Sequence, residues 1–200
     1  MELWYVKPEW WLCIIGAVTF LIVGWQACAT ARAAKATEAS VEISKDHAMR
    51  ELRAYLAVVI GDAVYQERDK NLLFEGRPLL INSGRTPAHK IRFKARAAIL
   101  PVPLPKETDL PETGDLGIGE TILSVQQTGS MCAVVDGFCQ DDEVEAIKSG
   151  NKGKALYVWG RIDYVDIFDE SHYTRFCHQL HWDGKGTVRG FYVAGRNDSD

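Results

Sequence analysis

The sequence carries no surplus of positive charge: 23 Lys and Arg stand against 27 Asp and Glu, for a formal net charge of -4. A nucleic-acid partner needs a basic face to neutralise phosphates, so none is expected. The spacings that hold cofactors are missing as well. The glycines of GDLGIGE at 114–120 are followed by neither Lys-Ser nor Lys-Thr, and no helix is signalled after them, which excludes a phosphate loop. Asp141, Asp142, Glu143 and Glu145 lack the alternating oxygen ligands of a calcium loop and read instead as a helix start. No Cys or His pair has the spacing of a structural zinc site. The sequence therefore assigns no catalytic, cofactor-binding or metal-binding residue.

Charge disappears altogether between Trp10 and Ala31, where the text is WWLCIIGAVTFLIVGWQACATA and the only polar side chains before Thr30 are Thr19 and Gln26. About 20 apolar residues at 1.5 Å each cover the roughly 30 Å hydrocarbon core of a bilayer. Trp4, Tyr5, Trp10 and Trp11 cluster at one end and Trp25 lies towards the other, as expected of rings that prefer the headgroup region. The reading is a flank at 1–9 and a transmembrane helix at 10–29, with the lipid bilayer as the first partner. A cleaved signal peptide is the rival, because Ala27, Cys28 and Ala29 resemble a small-residue cleavage site. Against it, the chain opens with Glu2, Lys7 and Glu9 in place of a basic start, and the apolar run exceeds an ordinary signal core. Only Lys7 precedes the span, whereas Arg32, Lys35, Lys45, Arg50 and Arg53 follow it, so the positive-inside rule leans towards a cytoplasmic domain.

From 27 to 53 the chain has neither Gly nor Pro and is rich in Ala, so the membrane helix should run on into a helical stalk at 30–53, roughly 35 Å long at 1.5 Å per residue. Ala27, Ala31, Ala34, Val41, Ala48 and Leu52 form a thin stripe of small residues, interrupted by Glu38 and Lys45. Two readings stand side by side: a solvated spacer, or self-association through the stalk.

Residues 54–200 read as one β-rich domain. AYLAVVIGDAVY at 54–65 is a first strand, 78–81 a second and 89–100 a third, with Ile91, Phe93 and Ala95 on one face; the turn at 82–87 joins the last two as a hairpin. The Pro- and Gly-punctuated text at 101–119 reads as an extended surface connection, with a polyproline ligand as the lesser alternative. A short strand at 120–127 follows, then a helix capped by Asp141 or Asp142 and stopped by Gly150. Of the five cysteines, Cys13 and Cys28 belong to the apolar segment, which leaves Cys132, Cys139 and Cys177. Cys132 and Cys139 either close a small loop or stay free, according to the compartment.

The strongest pattern lies in 155–166 and 172–182, two alternating runs around Phe168, Asp169 and Glu170, with a final strand at 187–193. Placing Ile162 opposite Phe176 sends Leu156, Val158, Ile162 and Tyr164 to one face with Thr174, Phe176, Leu180 and Trp182. The other face then pairs Asp163 with Arg175 and exposes Tyr157, Trp159 and Tyr173, an expected partner-binding surface unless an opposing sheet covers it. His172, Cys177, His178 and His181 gather metal-ligand chemistry on one strand, but alternation splits them between faces. A packed thiol and surface imidazoles are expected instead.

The anchor, the stalk and the texts LLINSGRTPAHKIR and LYVWGRIDYVDIFDESHYTRFC together resemble a group of uncharacterised bacterial single-pass membrane-anchored proteins. That resemblance implies a C-terminal Ig-like antiparallel β-sandwich with one short helix. It rests on structural residues: Asn82, Gly84, Pro87 and Ala88 at the turn, Gly160 and Tyr164 on one strand, Thr174, Phe176 and Cys177 on its neighbour. The functional expectation is a membrane-tethered binding or scaffolding domain that contacts another protein. The alternative is a tethered enzyme or metal-binding protein using Cys177 and the nearby histidines.

Overall fold

The computed structural model describes residues 8–111, 121–150 and 153–200. The chain divides into a helical unit that ends at Arg50 and a β-rich unit, Glu51–Asp200. In the first, the apolar run and the alanine-rich text form one uninterrupted helix, α1 (Pro8–Leu52, 45 residues), roughly 70 Å long at 1.5 Å per residue. Both threonine hydroxyls of its apolar run bond back within the helix: Thr19 donates to the Ile15 carbonyl at 2.8 Å and Thr30 to that of Gln26 at 2.8 Å. This bonding lets a threonine sit in hydrocarbon without an orphaned group. The helix is long and apolar enough to cross a bilayer, a property shared by retained anchors and N-terminal signal sequences. Trp4 and Tyr5 lie outside the described residues.

In the second unit the first sheet comprises β1 (Leu56–Val64), β2 (Glu75–Asn82), β5 (Thr128–Ser130) and β6 (Ala133–Val134). The second comprises β3 (Ala88–Pro101), β4 (Thr121–Leu123), β7 (Lys154–Val165), β8 (Ser171–Trp182), β9 (Val188–Tyr192) and β10 (Asp198–Ser199). A short helix, α2 (Asp141–Lys148), precedes β7. Pairing is antiparallel in both sheets. Between them lies the main core, where Leu56, Val58 and Leu80 of the first sheet meet Ile91, Leu156, Val158, Ile162, Phe176 and Leu180 of the second. Each such side chain contributes about 1.5–3 kcal/mol when taken out of water. Close approach matters at one glycine: a Cβ on Gly76 of β2 would run into the Val158 side chain on the facing sheet. Two hydrogen bonds also cross between the layers, from the Thr174 hydroxyl to the Leu56 carbonyl at 2.7 Å and from the Tyr164 hydroxyl to Ala54 at 3.3 Å.

Three expectations need correction. The turn at 82–87 joins no hairpin, because β2 pairs with β1, β5 and β6 while β3 pairs with β4 and β7. It is a corner that carries the chain from one sheet to the other. Asn82 builds it: fully buried, it donates from Nδ2 to the Thr86 carbonyl at 2.8 Å and the Leu123 carbonyl at 3.0 Å, and its Oδ1 accepts from the Gly84 N–H at 3.0 Å. Second, α2 has Gln140 as its N-cap, without a side-chain cap bond. Asp141 and Asp142 sit instead in the first turn, where their charge meets the positive end of the helix dipole.

The third correction concerns register. Gly160, not Ile162, stands opposite Phe176, and Ile162 faces Thr174. A slip of two preserves the faces, so the core assignments hold, but it changes every cross-strand partner. The turn sets the register: the Asp166 N–H donates to the Glu170 carbonyl at 3.0 Å, and Asp166 Oδ1 accepts from the N–H groups of Phe168 at 2.8 Å and Glu170 at 3.1 Å. Phe176 then covers the glycine opposite it, where a Cβ on Gly160 would come within 3.0 Å of its ring. Asp163 accordingly faces Tyr173, and Arg175 faces Arg161, so the direct Asp163 to Arg175 pairing is replaced.

Candidate functional site

The outer face of the six-stranded sheet carries the odd-numbered residues of β7 and β8 and, from Arg92 onward, the even-numbered residues of β3. Arg92, Lys94 and Arg96 of β3 stand opposite Asp163, Arg161 and Trp159 of β7. The aromatic part of this face is not an open surface. Tyr157 is fully buried and Trp159 is 9% exposed; only Tyr173 is partly open. Neither does the opposing sheet cover them. Ala155, Tyr157, Trp159 and Cys177 form a second core under Val102, Leu104 and Leu110 of the proline-punctuated segment and Val193 near the C-terminal end. The polar tips are bonded to that cover or its roots: the Tyr157 hydroxyl lies 3.2 Å from the Pro101 carbonyl and 2.9 Å from Gln179 Oε1, and the Trp159 indole donates to the Pro111 carbonyl at 3.4 Å. The described part of the 101–119 connection is thus a packed strap. Sequence reading missed this because apolar residues spaced among prolines have no strand or helix period.

A second strap comes from residues 193–199. Arg196 Nη2 donates to the carbonyls of Lys106 at 3.0 Å and Thr108 at 2.7 Å, which joins the two straps. Asn197 Oδ1 accepts from the Cys177 N–H at 2.9 Å. Between the straps lies a cleft of about 740 Å³, lined by Pro111, Trp159, Arg161, Arg175, Arg196 and Asp198, among others. Arg161 is held by Asp163 at 2.8 Å, and Arg175 stands 4.0 Å from Asp198. The Tyr173 ring lies near both guanidinium groups, at 4.7 Å from Arg161 and 5.1 Å from Arg175. Its hydroxyl donates to Asp198 at 3.0 Å, and that bond, with the aspartate charge, raises the phenol above its ordinary range. The two like charges, opposite one another on neighbouring strands, are held in place by an aromatic ring and two carboxylates.

Cys177 forms part of the cleft wall but is a core residue, 1% exposed, and burial pushes its thiol up to about 11. A nucleophilic cysteine needs the opposite environment. His181, one of the nearby histidines of the enzyme alternative, sits with its ring edge-on to Phe191 at 5.9 Å and against Gln179. None of the five cysteines is in a disulfide, Cys132 and Cys139 included. In the folded chain at pH 8, a maleimide should modify exposed Cys132 and spare Cys177 until denaturant is added. Peptide mapping reads the sites, and early labelling of Cys177 would refute its burial.

The imidazoles expected at the surface are in part buried. His178 is 1% exposed, packed by Phe176 at 5.3 Å and Tyr192 at 5.0 Å. His172 is also buried, its Nε2 at 3.1 Å from Asp166 and its Nδ1 at 3.4 Å from Asp200. Burial pushes the Asp166 carboxyl up, but the His172 ring and the N–H groups of Glu170 and Phe168 outweigh it and hold the group below its ordinary value. Among the described residues Asp166, Glu170 and His172 have donor atoms within 4.8 Å of one another, a set able to hold a cation. The same contacts of Asp166 already account for the arrangement as a clasp on the β7 to β8 turn. Compared with known proteins, the chain matches no family model, no curated sequence and no solved structure.

Proposed function

We propose that the chain is a membrane-tethered binding domain whose recognition site for a protein partner is the outer-face cleft between the two straps. α1 serves as a retained anchor with the domain on the cytoplasmic side, as the basic residues following the span favour. The domain is an Ig-like sandwich of the kind the sequence resembles, a reading supported by its two facing antiparallel sheets and the corner at 82–87. The observation that carries the binding role is the cleft itself: a concave site with a tryptophan in its wall and arginines held by aromatic and carboxylate partners. Aromatic and Arg side chains supply most interface energy. The alternative enzyme built on Cys177 loses its nucleophile to burial.

A photoreactive phenylalanine in place of Pro111, at the cleft rim, should yield a discrete protein adduct when the full chain is irradiated in its own membranes. The same residue in place of Asp69, away from the cleft, should yield none. Equal adducts from both positions, or none from position 111, would remove the cleft as the recognition site.

A further inference from the structure

A smaller hollow of about 450 Å³ opens beside the cleft, lined by Lys90, Arg92, Arg161, Asp163, Ser171 and Tyr173 among others. Three of these side chains are cationic and one is an acid, and that acid is engaged by Arg161 at 2.8 Å. Lys90 and Arg92 form no ion pair among the described residues. A chain of net charge -4 thus concentrates positive charge at one concave point. The backbone there is unusual too. Pairing of β3 with β7 shifts between His89 and Arg92, and Lys90 occupies the left-handed region at φ 51°. A residue with a Cβ is strained in this conformation, and glycine is not. Lys90 and Arg92, two residues apart, line the same hollow while Ile91 between them stays fully buried. Bulges commonly re-aim side chains at functional sites.

We infer that this hollow binds a phosphate monoester, gripped by Lys90, Arg92 and Arg161. The excess of two positive charges matches a dianion of charge about -1.5 to -2 better than a single carboxylate. Arginine forks bond phosphate oxygens in pairs, and lysine adds a point charge. Ser171, exposed on the rim, offers a hydroxyl donor. The hollow shares Arg161 and Asp163 with the cleft, so the inference extends the binding reading without depending on the partner being a protein.

The test is calorimetric titration of the full chain in zwitterionic micelles with inorganic phosphate and glycerol phosphate, with acetate for comparison. Flotation with phosphatidylcholine vesicles, with and without phosphatidic acid, forms the second arm. Saturable one-to-one binding of phosphate over acetate is expected, weakened about tenfold or more in Arg92→Gln and Lys90→Gly. Lys90→Gly is the decisive variant, because it relieves the left-handed backbone and should keep or raise the melting temperature while losing the anion. Arg189→Gln, outside the hollow, should bind like wild type. Response to glycerol phosphate assigns a soluble ligand, and response confined to phosphatidic acid vesicles assigns a lipid headgroup; either supports the site. No saturable binding in either arm, or unchanged binding in Lys90→Gly, overturns it, and leaves the crosslinking result at position 111 standing or falling by itself.

Discussion

Trp159→Ala should destabilise the β-rich unit by about 3–5 kcal/mol, the usual loss when a large buried aromatic is truncated. The expectation rests on placement. Trp159 stands on the outer face of β7, yet it is only 9% exposed, because Leu110 and its neighbours lie across it and the Pro111 carbonyl accepts its indole N–H. An alanine there removes the ring on which the proline-punctuated strap rests, and beyond Pro101 the described part of the strap is tied to β7 by little more than the bond from the Val102 N–H to the Gly153 carbonyl at 3.0 Å. Equilibrium urea denaturation of the full chain in mild detergent measures the loss. A second readout follows from the same geometry: Cys177 shares the small core with Trp159, so its thiol should become reactive in the folded variant. A shift within about 0.5 kcal/mol, the usual size of a surface substitution, would return Trp159 to the surface and revive the open aromatic patch.

The sequence made some of this legible and hid the rest for physical reasons. The apolar run and the Gly- and Pro-free text after it do form one helix, Pro8–Leu52, because composition decides helix continuity locally. The inner face of β7 and β8 was legible from alternation, and Leu156, Val158, Ile162, Tyr164, Phe176, Leu180 and Trp182 are all buried. Alternation has a period of two, however, and cannot register a slip of two. The side-chain bonds of Asp166 decide that, and an aspartate after a strand reads only as a turn former. The corner at 82–87 has the composition of a hairpin turn, and only the burial of Asn82 distinguishes them. The cleft was hidden most deeply, since it is made by two straps that lack any periodic pattern, laid over a face whose aromatics looked exposed.

Lowering the pH from about 6.5 to 4 should remove about 3 kcal/mol of stability through a single ring, His178. Burial pushes this imidazole down from 6.5 to about 4, and its hydrogen bond to the Val58 carbonyl offsets that only in part. Among the described residues Nε2 has no hydrogen-bond partner, so a proton added there would be buried between Phe176 and Tyr192 without an acceptor. The folded ring therefore binds its proton later than the unfolded one. Across that window the unfolded chain holds more protons, and stability falls as pH falls. Above about pH 7 both states are neutral and the ring adds no pH dependence. The carboxylates held low, Asp166, Glu75 and Asp183, act in a lower window: their contribution is lost progressively as pH drops from about 5 towards their folded values. His178→Leu isolates the effect, because subtracting its denaturation free energies from those of the wild-type chain cancels every other titrating group. The difference should be constant above pH 7 and should shift by about 3 kcal/mol in favour of the leucine variant between pH 6.5 and 4. A difference that stays flat to pH 4 would mean that the ring is solvated and accepts its proton as readily folded as unfolded.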